Sequence, residues 1–121
     1  MKIMVVDDEQ DMKLLFEQRF RKEIKMGLVA FLFAFSGEEA RDYLKSNGTE
    51  NVNKILSDIN MPGMNGLELL KWIKENYPEL KVAMITAYGD QNNYNQAIEY
   101  GCDDYMTKPI DFDQLKEKVF Q

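Results

Sequence analysis

Apolar and polar positions along the chain switch repeatedly between two periods. Lys2–Val6 is a short apolar run containing β-branched residues, which predicts a strand. Residues 11–25 then place Met12, Leu15, Phe16 and Phe20 on one face at helical spacing. Residues 28–35 form a second strand candidate. Ser36, with Glu39 three residues on, marks a helix start of the capping-box kind. The segment Asn47-Gly48-Thr49-Glu50-Asn51 is a polar loop, and residues 54–57 form the third strand. Leu67, Leu70 and Ile73 predict a helix that must stop before Pro78. Residues 81–85 are the fourth strand. Residues 90–100 are the fourth helix, ended by Gly101 just past its last turn. Asp104–Thr107 is the fifth strand, and Phe112, Leu115 and Val119 mark a last helix.

Five strand–helix repeats of this kind imply an α/β fold, a doubly wound (βα)5 domain with a five-stranded parallel sheet covered on both faces. In such folds ligands bind at the carboxyl ends of the strands, near the switch point of strand order. Every chemically suggestive residue falls at such an end. The sequence contains no internal repeat, linker or low-complexity stretch.

With 121 residues, the chain has the usual size of one domain. Hydrophobic residues make up 45% and charged residues 30%, which fits a folded globular domain rather than a disordered one. The net charge of -6 and the lack of a basic stripe argue against direct nucleic-acid binding. A single cysteine, Cys102, excludes an intrachain disulfide and fits a reducing compartment. Residues 1–6 read as a strand, so no signal peptide is expected. No apolar run approaches the roughly 20 residues of a membrane span, so no membrane insertion is expected. Histidine is absent, which removes most zinc sites and histidine-based proton transfer.

Three carboxylates stand in the same position relative to predicted strands. Asp58 closes the run Ile55-Leu56-Ser57, and the turn residues Asn60-Met61-Pro62-Gly63-Met64-Asn65-Gly66 follow it after Ile59. Pro62 constrains that turn, and Gly63 and Gly66 are expected to take unusual backbone angles. Asp7 and Asp8 follow Ile3-Met4-Val5-Val6 directly. Taken singly, each is explained as a turn or helix cap. Together at one sheet edge they are costly unless a cation neutralises them, and they suit Mg²⁺, which takes few carboxylates and hard oxygen ligands. Thr86 ends the fourth strand, where its hydroxyl serves either a plain turn or a phosphoryl oxygen. Lys108, before Pro109, projects from the end of the fifth strand as a surface cation or as a point charge for phosphate.

These elements, in order, resemble the receiver domain of bacterial two-component response regulators, such as the chemotaxis regulator. The residues that carry the resemblance are Asp7-Asp8-Glu9, Asp58 with Met61-Pro62 and Gly66, Thr86-Ala87, and Lys108-Pro109. The likeness covers the whole chain, 1–121, either as a stand-alone receiver or as one cut from a longer regulator. It implies a flavodoxin-like sheet with strand order 2-1-3-4-5. It also implies that Asp58 accepts a phosphoryl group from a sensor histidine kinase, a phosphotransfer protein or a small acyl phosphate. Asp8, Asp58 and the backbone carbonyl of Asn60 would ligate Mg²⁺ or Mn²⁺, with Asp7 acting through a bound water. Lys108, Thr86 and the backbone N–H of Ala87 would contact the phosphoryl oxygens. Thr86 and Tyr105 would form the switch that alters the surface of the fourth helix, fifth strand and last helix. A phosphorylation-dependent dimer and an unknown partner or output domain complete the implied set, and the chain would work in the cytoplasm. Residues 90–100 contain no lysine or arginine, unlike the helix through which one large receiver subfamily pairs. The resemblance further implies that Asn60 and Tyr88 tune phosphoryl lifetime, with Tyr88 screening attacking water.

Three other functions compete with this one. An unphosphorylated docking module would be expected to lack a site residue, and none is missing. An aspartyl phosphatase needs an acid at position 60, which is Asn. Flavin or nucleotide binding needs a Gly-rich loop after the first strand, where Asp7-Asp8-Glu9 would repel phosphate. Cys102, the 8 methionines and Trp72 are expected as packing residues. The second strand, lying at an edge, is expected either to be packed by helices on both faces or to meet a partner.

Overall fold

The computed structural model describes residues 1–87 and 89–120. Five strands form one sheet: β1 (Lys2–Val6), β2 (Ala30–Ala34), β3 (Lys54–Asp58), β4 (Lys81–Thr86) and β5 (Asp104–Thr107). All pairings are parallel, and the order is β2-β1-β3-β4-β5, as the resemblance implies. The helices are α1 (Asp11–Arg19), α2 (Arg21–Lys25), α3 (Gly37–Asn47), α4 (Gly66–Asn76), α5 (Gln91–Glu99) and α6 (Phe112–Val119). None of the described helices is long and apolar enough to cross a membrane.

Both faces of the sheet are buried, which is why its strands read as continuous apolar runs. Successive side chains point to opposite faces. Ile3 and Val5 therefore join Leu56, Ala83, Ile85 and Met106 against Phe16, Phe20, Leu115 and Val119. Met4 and Val6 face the other way, with Ile55, Val82 and Met84, against Leu44, Leu69, Leu70, Ile73 and Ala97. Each large aliphatic side chain fully buried in this way stabilises the fold by roughly 1.5–3 kcal/mol. Of the methionines expected as packing residues, Met4, Met61, Met84 and Met106 are buried and Met12 and Met64 half-buried, but Met1 and Met26 are exposed. Trp72 packs half-buried against Tyr77, and Cys102 is half-buried with its thiol pushed up in pKa by burial.

Two elements differ from the sequence expectation. The single helix expected over residues 11–25 breaks at Phe20 (φ -103°, ψ 16°), giving α1 and α2. The Phe20 ring stacks on Phe16 and meets Phe31 edge-on, so its packing directs the chain at the break. The second strand is shorter than the apolar run 28–35. The Leu28 N–H still donates to Glu23 O at 2.9 Å, and the Phe35 N–H turns to Glu39 Oε2 at 3.2 Å. β2 is the edge strand, and helices cover both its faces: Phe31 and Phe33 pack on the Phe16 side, Leu32 on the other. That packing half-buries Phe31, Leu32 and Phe33, whereas Leu28 and Ala30 of the same run stay exposed.

Helix ends follow local chemistry. Ser36 Oγ accepts from the Glu39 N–H at 3.0 Å. Asn65 and Glu68 form a reciprocal capping box at the start of α4. Asp90 and Asp111 cap α5 and α6. Gly101 has φ +87°, the left-handed turn expected of the residue that closes α5.

Candidate functional site

The parallel register brings the tips of β1, β3, β4 and β5 to one edge. Val6 lies opposite Ser57, so Asp7, Asp8 and Asp58 emerge side by side. One carboxylate oxygen from each lies within 4.8 Å of the others. Asp7 and Asp58 are buried, at 5% and 6% exposure, whereas Asp8 is exposed. Lys108 reaches across from the end of β5, with its Nζ 3.4 Å from Asp58 Oδ2 and 3.7 Å from Asp7 Oδ2. Its backbone N–H donates to Thr86 O at 2.7 Å, which ties it to the end of β4.

Each buried carboxylate keeps one oxygen anchored. Asp7 Oδ1 accepts from the Glu9 N–H and Asp58 Oδ1 from the Ile59 N–H, both at 2.9 Å. Their Oδ2 atoms face Lys108. Burial pushes the pKa of both acids above the ordinary carboxylate range, and for Asp58 the Asp7 charge adds to that rise. Burial would lower the Lys108 pKa, but Asp58 and Asp7 outweigh it and raise the value. One lysine thus faces two buried carboxylates, with the exposed Asp8 carboxylate beside them, so the acids outnumber the cation. A close all-oxygen set of few carboxylates suits Mg²⁺, a hard cation that takes oxygen ligands and keeps several waters.

Thr86 is fully buried at the end of β4, and among the described residues its Oγ1 has no hydrogen-bond partner. Tyr105, diagonally opposite on the same face of β5, is half-buried and meets Tyr94 edge-on at 5.0 Å. Burial raises its phenol pKa, and the nearby Thr86 hydroxyl offsets part of that rise without closing a hydrogen bond of standard geometry. Ala87 is exposed just beyond Thr86, and Asn60 is exposed two residues beyond Asp58. Tyr88 lies outside the described residues. The site opens onto a groove of about 820 Å³ whose walls include Glu9, Met12, Leu15, Ala87 and Lys108.

Gly63 has φ +72°, as a constrained turn needs, but Gly66 does not share it. Gly66 opens α4 against the tip of β3. A Cβ there would overlap the Asp58 carbonyl oxygen and come within 2.8 Å of Ile59 Cα. The position needs a missing side chain rather than an unusual angle. Asp7 and Asp8 do not cap the first helix either, because Gln10 occupies that position without a side-chain bond. One contact had no signal in the sequence. Glu38 Oε2, from the first turn of α3, accepts from the Met64 N–H at 3.1 Å, across 26 residues of sequence.

The family model for the response regulator receiver domain matches residues 3–120. The transcriptional regulator NtrC of Proteus hauseri is 39% identical over 112 residues, covering 93% of this chain and 22% of that protein. A chemotaxis protein CheY homologue of Campylobacter jejuni is 35% identical over 121 residues, covering 98% of this chain and 89% of its relative. The chain therefore spans less than a quarter of the NtrC it matches and most of the CheY homologue. Among solved structures, the response regulator TrrA of Thermotoga maritima, in complex with Mg²⁺ and BeF, superposes with a TM-score of 0.81. It has 32% identity and covers 98% of this chain and 96% of that one.

Proposed function

This chain belongs to the response regulator receiver domain family, signalling switches that accept a phosphoryl group, and from that premise we propose that Asp58 is its phosphoacceptor. The observation that carries the assignment is the placement of Lys108 between two buried carboxylates at the carboxyl edge of the sheet. With Oδ1 engaged by the Ile59 N–H, the nucleophile is Asp58 Oδ2, the oxygen that Lys108 holds toward the site. It attacks phosphorus; the bond from phosphorus to the donor's imidazole nitrogen, or to the acyl oxygen, breaks. The electron pair leaves with the donor. Charge builds on the equatorial oxygens of the transferring group, and positioned cations and donors stabilise it. Lys108 supplies positive charge there, and the Thr86 hydroxyl and Ala87 N–H supply hydrogen bonds.

Asp8, Asp58 and the Asn60 carbonyl would hold Mg²⁺ or Mn²⁺, with Asp7 contributing through a water. A divalent cation bound there supplies charge that offsets the clustered carboxylates and the incoming phosphoryl oxygens. Phosphorylation adds about 1.5–2 negative charges and strong acceptors beside Thr86. Thr86 then turns its unpartnered hydroxyl to the phosphoryl group, Tyr105 follows into the vacated space, and the surface of α5, β5 and α6 changes. The partners are a cytoplasmic histidine kinase or phosphotransfer protein and a downstream target or output domain. The TrrA structure, solved with Mg²⁺ and BeF, supports the metal and phosphoryl assignments by analogy.

Incubation with Mg²⁺ and a small acyl phosphate, read by intact mass, tests this. One phosphoryl group should appear, and should be lost in Asp58→Ala and on chelation. A phosphoryl group that persists in Asp58→Ala would move the nucleophile elsewhere. A folded chain that binds Mg²⁺ but is never modified, by acyl phosphate or by any cognate kinase, would make it a docking module.

A further inference from the structure

Residues 60–65 join the phosphoacceptor strand to α4. They close at one end where the Gly66 N–H donates to Ile59 O at 2.8 Å. The capping box of Asn65 and Glu68 fixes the start of the helix beyond. The Met64 N–H is fixed from outside the segment, by Glu38 of α3. The surroundings are shaped to that contact. A Cβ on Gly63 would overlap Glu38 Oε2, and one on Gly37 would come 2.6 Å from Met64 O. Two glycines thus leave room for one carboxylate to seat on the turn. Its other oxygen, Oε1, is buried and has no hydrogen-bond partner among the described residues. The Met64 N–H, with the Glu38 backbone N–H, holds this half-buried carboxyl below the ordinary carboxylate range, so it seats on the turn as an anion.

We propose that Glu38 is a positioning residue that clamps the 60–65 turn through the Met64 N–H, and so holds the Asn60 carbonyl in place beside Asp58. The inference rests on the metal assignment above and extends it to a residue on a different element. Asn60 lies between two fixed points, the Ile59–Gly66 closure and the Glu38–Met64 clamp. Releasing the second lets the carbonyl wander while the three carboxylates stay at their strand ends. Partners outside the direct ligands of a metal commonly change affinity about 10- to 100-fold, and one acting through several backbone bonds belongs at the lower end.

The test is Mg²⁺ affinity of the full chain, by calorimetric titration, with exchange of the Met64 amide followed alongside. Glu38→Ala should weaken Mg²⁺ binding about 10-fold, whereas Glu38→Gln, whose amide oxygen still accepts from Met64, should stay within about 2-fold of the parent. Glu39→Ala serves as the control. It removes a neighbouring helix-start bond to the Phe35 N–H but leaves the clamp intact, so it should lower stability without moving Mg²⁺ affinity. Unchanged affinity in Glu38→Ala, or equal losses in Glu38→Ala and Glu39→Ala, would overturn the clamp. If the parent itself fails to bind Mg²⁺, the metal assignment falls. Exchange at Met64 then decides the clamp alone: faster in Glu38→Ala but not in Glu39→Ala sustains it, and no difference refutes it.

Discussion

Replacing Thr86 by valine should stabilise the unphosphorylated chain while impairing its response to phosphorylation. The hydroxyl is fully buried and unpartnered among the described residues. Leaving such a group unsatisfied costs about 1–3 kcal/mol, and substituting an apolar group of the same shape removes that cost. Tyr105 lies near enough to recover part of it, so the expected gain falls at the lower end, about 1 kcal/mol. For a chain of this length that corresponds to a rise of about 3–5 °C in Tm. Urea unfolding followed by circular dichroism would read the change as a higher midpoint at an unchanged slope. Phosphorylated Thr86→Val, lacking the donor, should stay closer to its unphosphorylated spectrum than the parent does. A variant destabilised by about 1 kcal/mol or more would mean that the hydroxyl is already paired in the resting protein. The account of a group held in reserve for the phosphoryl oxygen would then be wrong.

Gly66→Ala should destabilise the chain by about 2–3 kcal/mol, since the added carbon meets the backbone of β3 rather than a movable side chain. Gly48→Ala, with open space around it and φ +68°, should cost only about 1 kcal/mol, so a reversed order in parallel denaturation curves would contradict the steric account. Burial raises the pKa of Asp7 and Asp58, so the folded chain retains protons that the unfolded chain releases. Their favourable contribution is complete below the unfolded carboxylate pKa and is lost as pH rises through the folded values. Without metal, stability should therefore fall on their account as pH rises above the unfolded carboxylate pKa of about 4. Asp58→Asn should flatten that slope, and Mg²⁺ should raise Tm at pH 7 more in the parent than in Asp58→Asn. An equal Mg²⁺ effect in both proteins would detach the metal from this cluster.

The sheet and the site were legible because both are written in short-range patterns. Each strand is an apolar run, and Asp7, Asp58, Thr86 and Lys108 stand one or two places past or at the end of such a run. Once the strands lie parallel, their tips must meet. The Ser36–Glu39 start and the Gly101 stop were equally local. What the sequence hid depends on contacts between distant segments. The break at Phe20 follows from rings that arrive from β2 and α6, and periodicity cannot report it. Gly66 looked like a turn glycine because nothing in the sequence shows how closely α4 approaches Asp58. Glu38 meets Met64 only after two crossovers have formed.

The convergence of strand tips also sets when this site comes into being. Its carboxylates come from residues 7, 8 and 58, but the only lysine paired with Asp7 and Asp58 among the described residues is residue 108, beyond the last strand. No shorter piece from the start of the chain can assemble it, because the acids would meet without their counter-charge until β5 pairs with β4. Folding of parallel strands joined by long crossovers is slow compared with local hairpins. Pairing of β5 with β4 is therefore the step that brings the counter-charge to the acids, so the cluster is completed late in the assembly of the sheet.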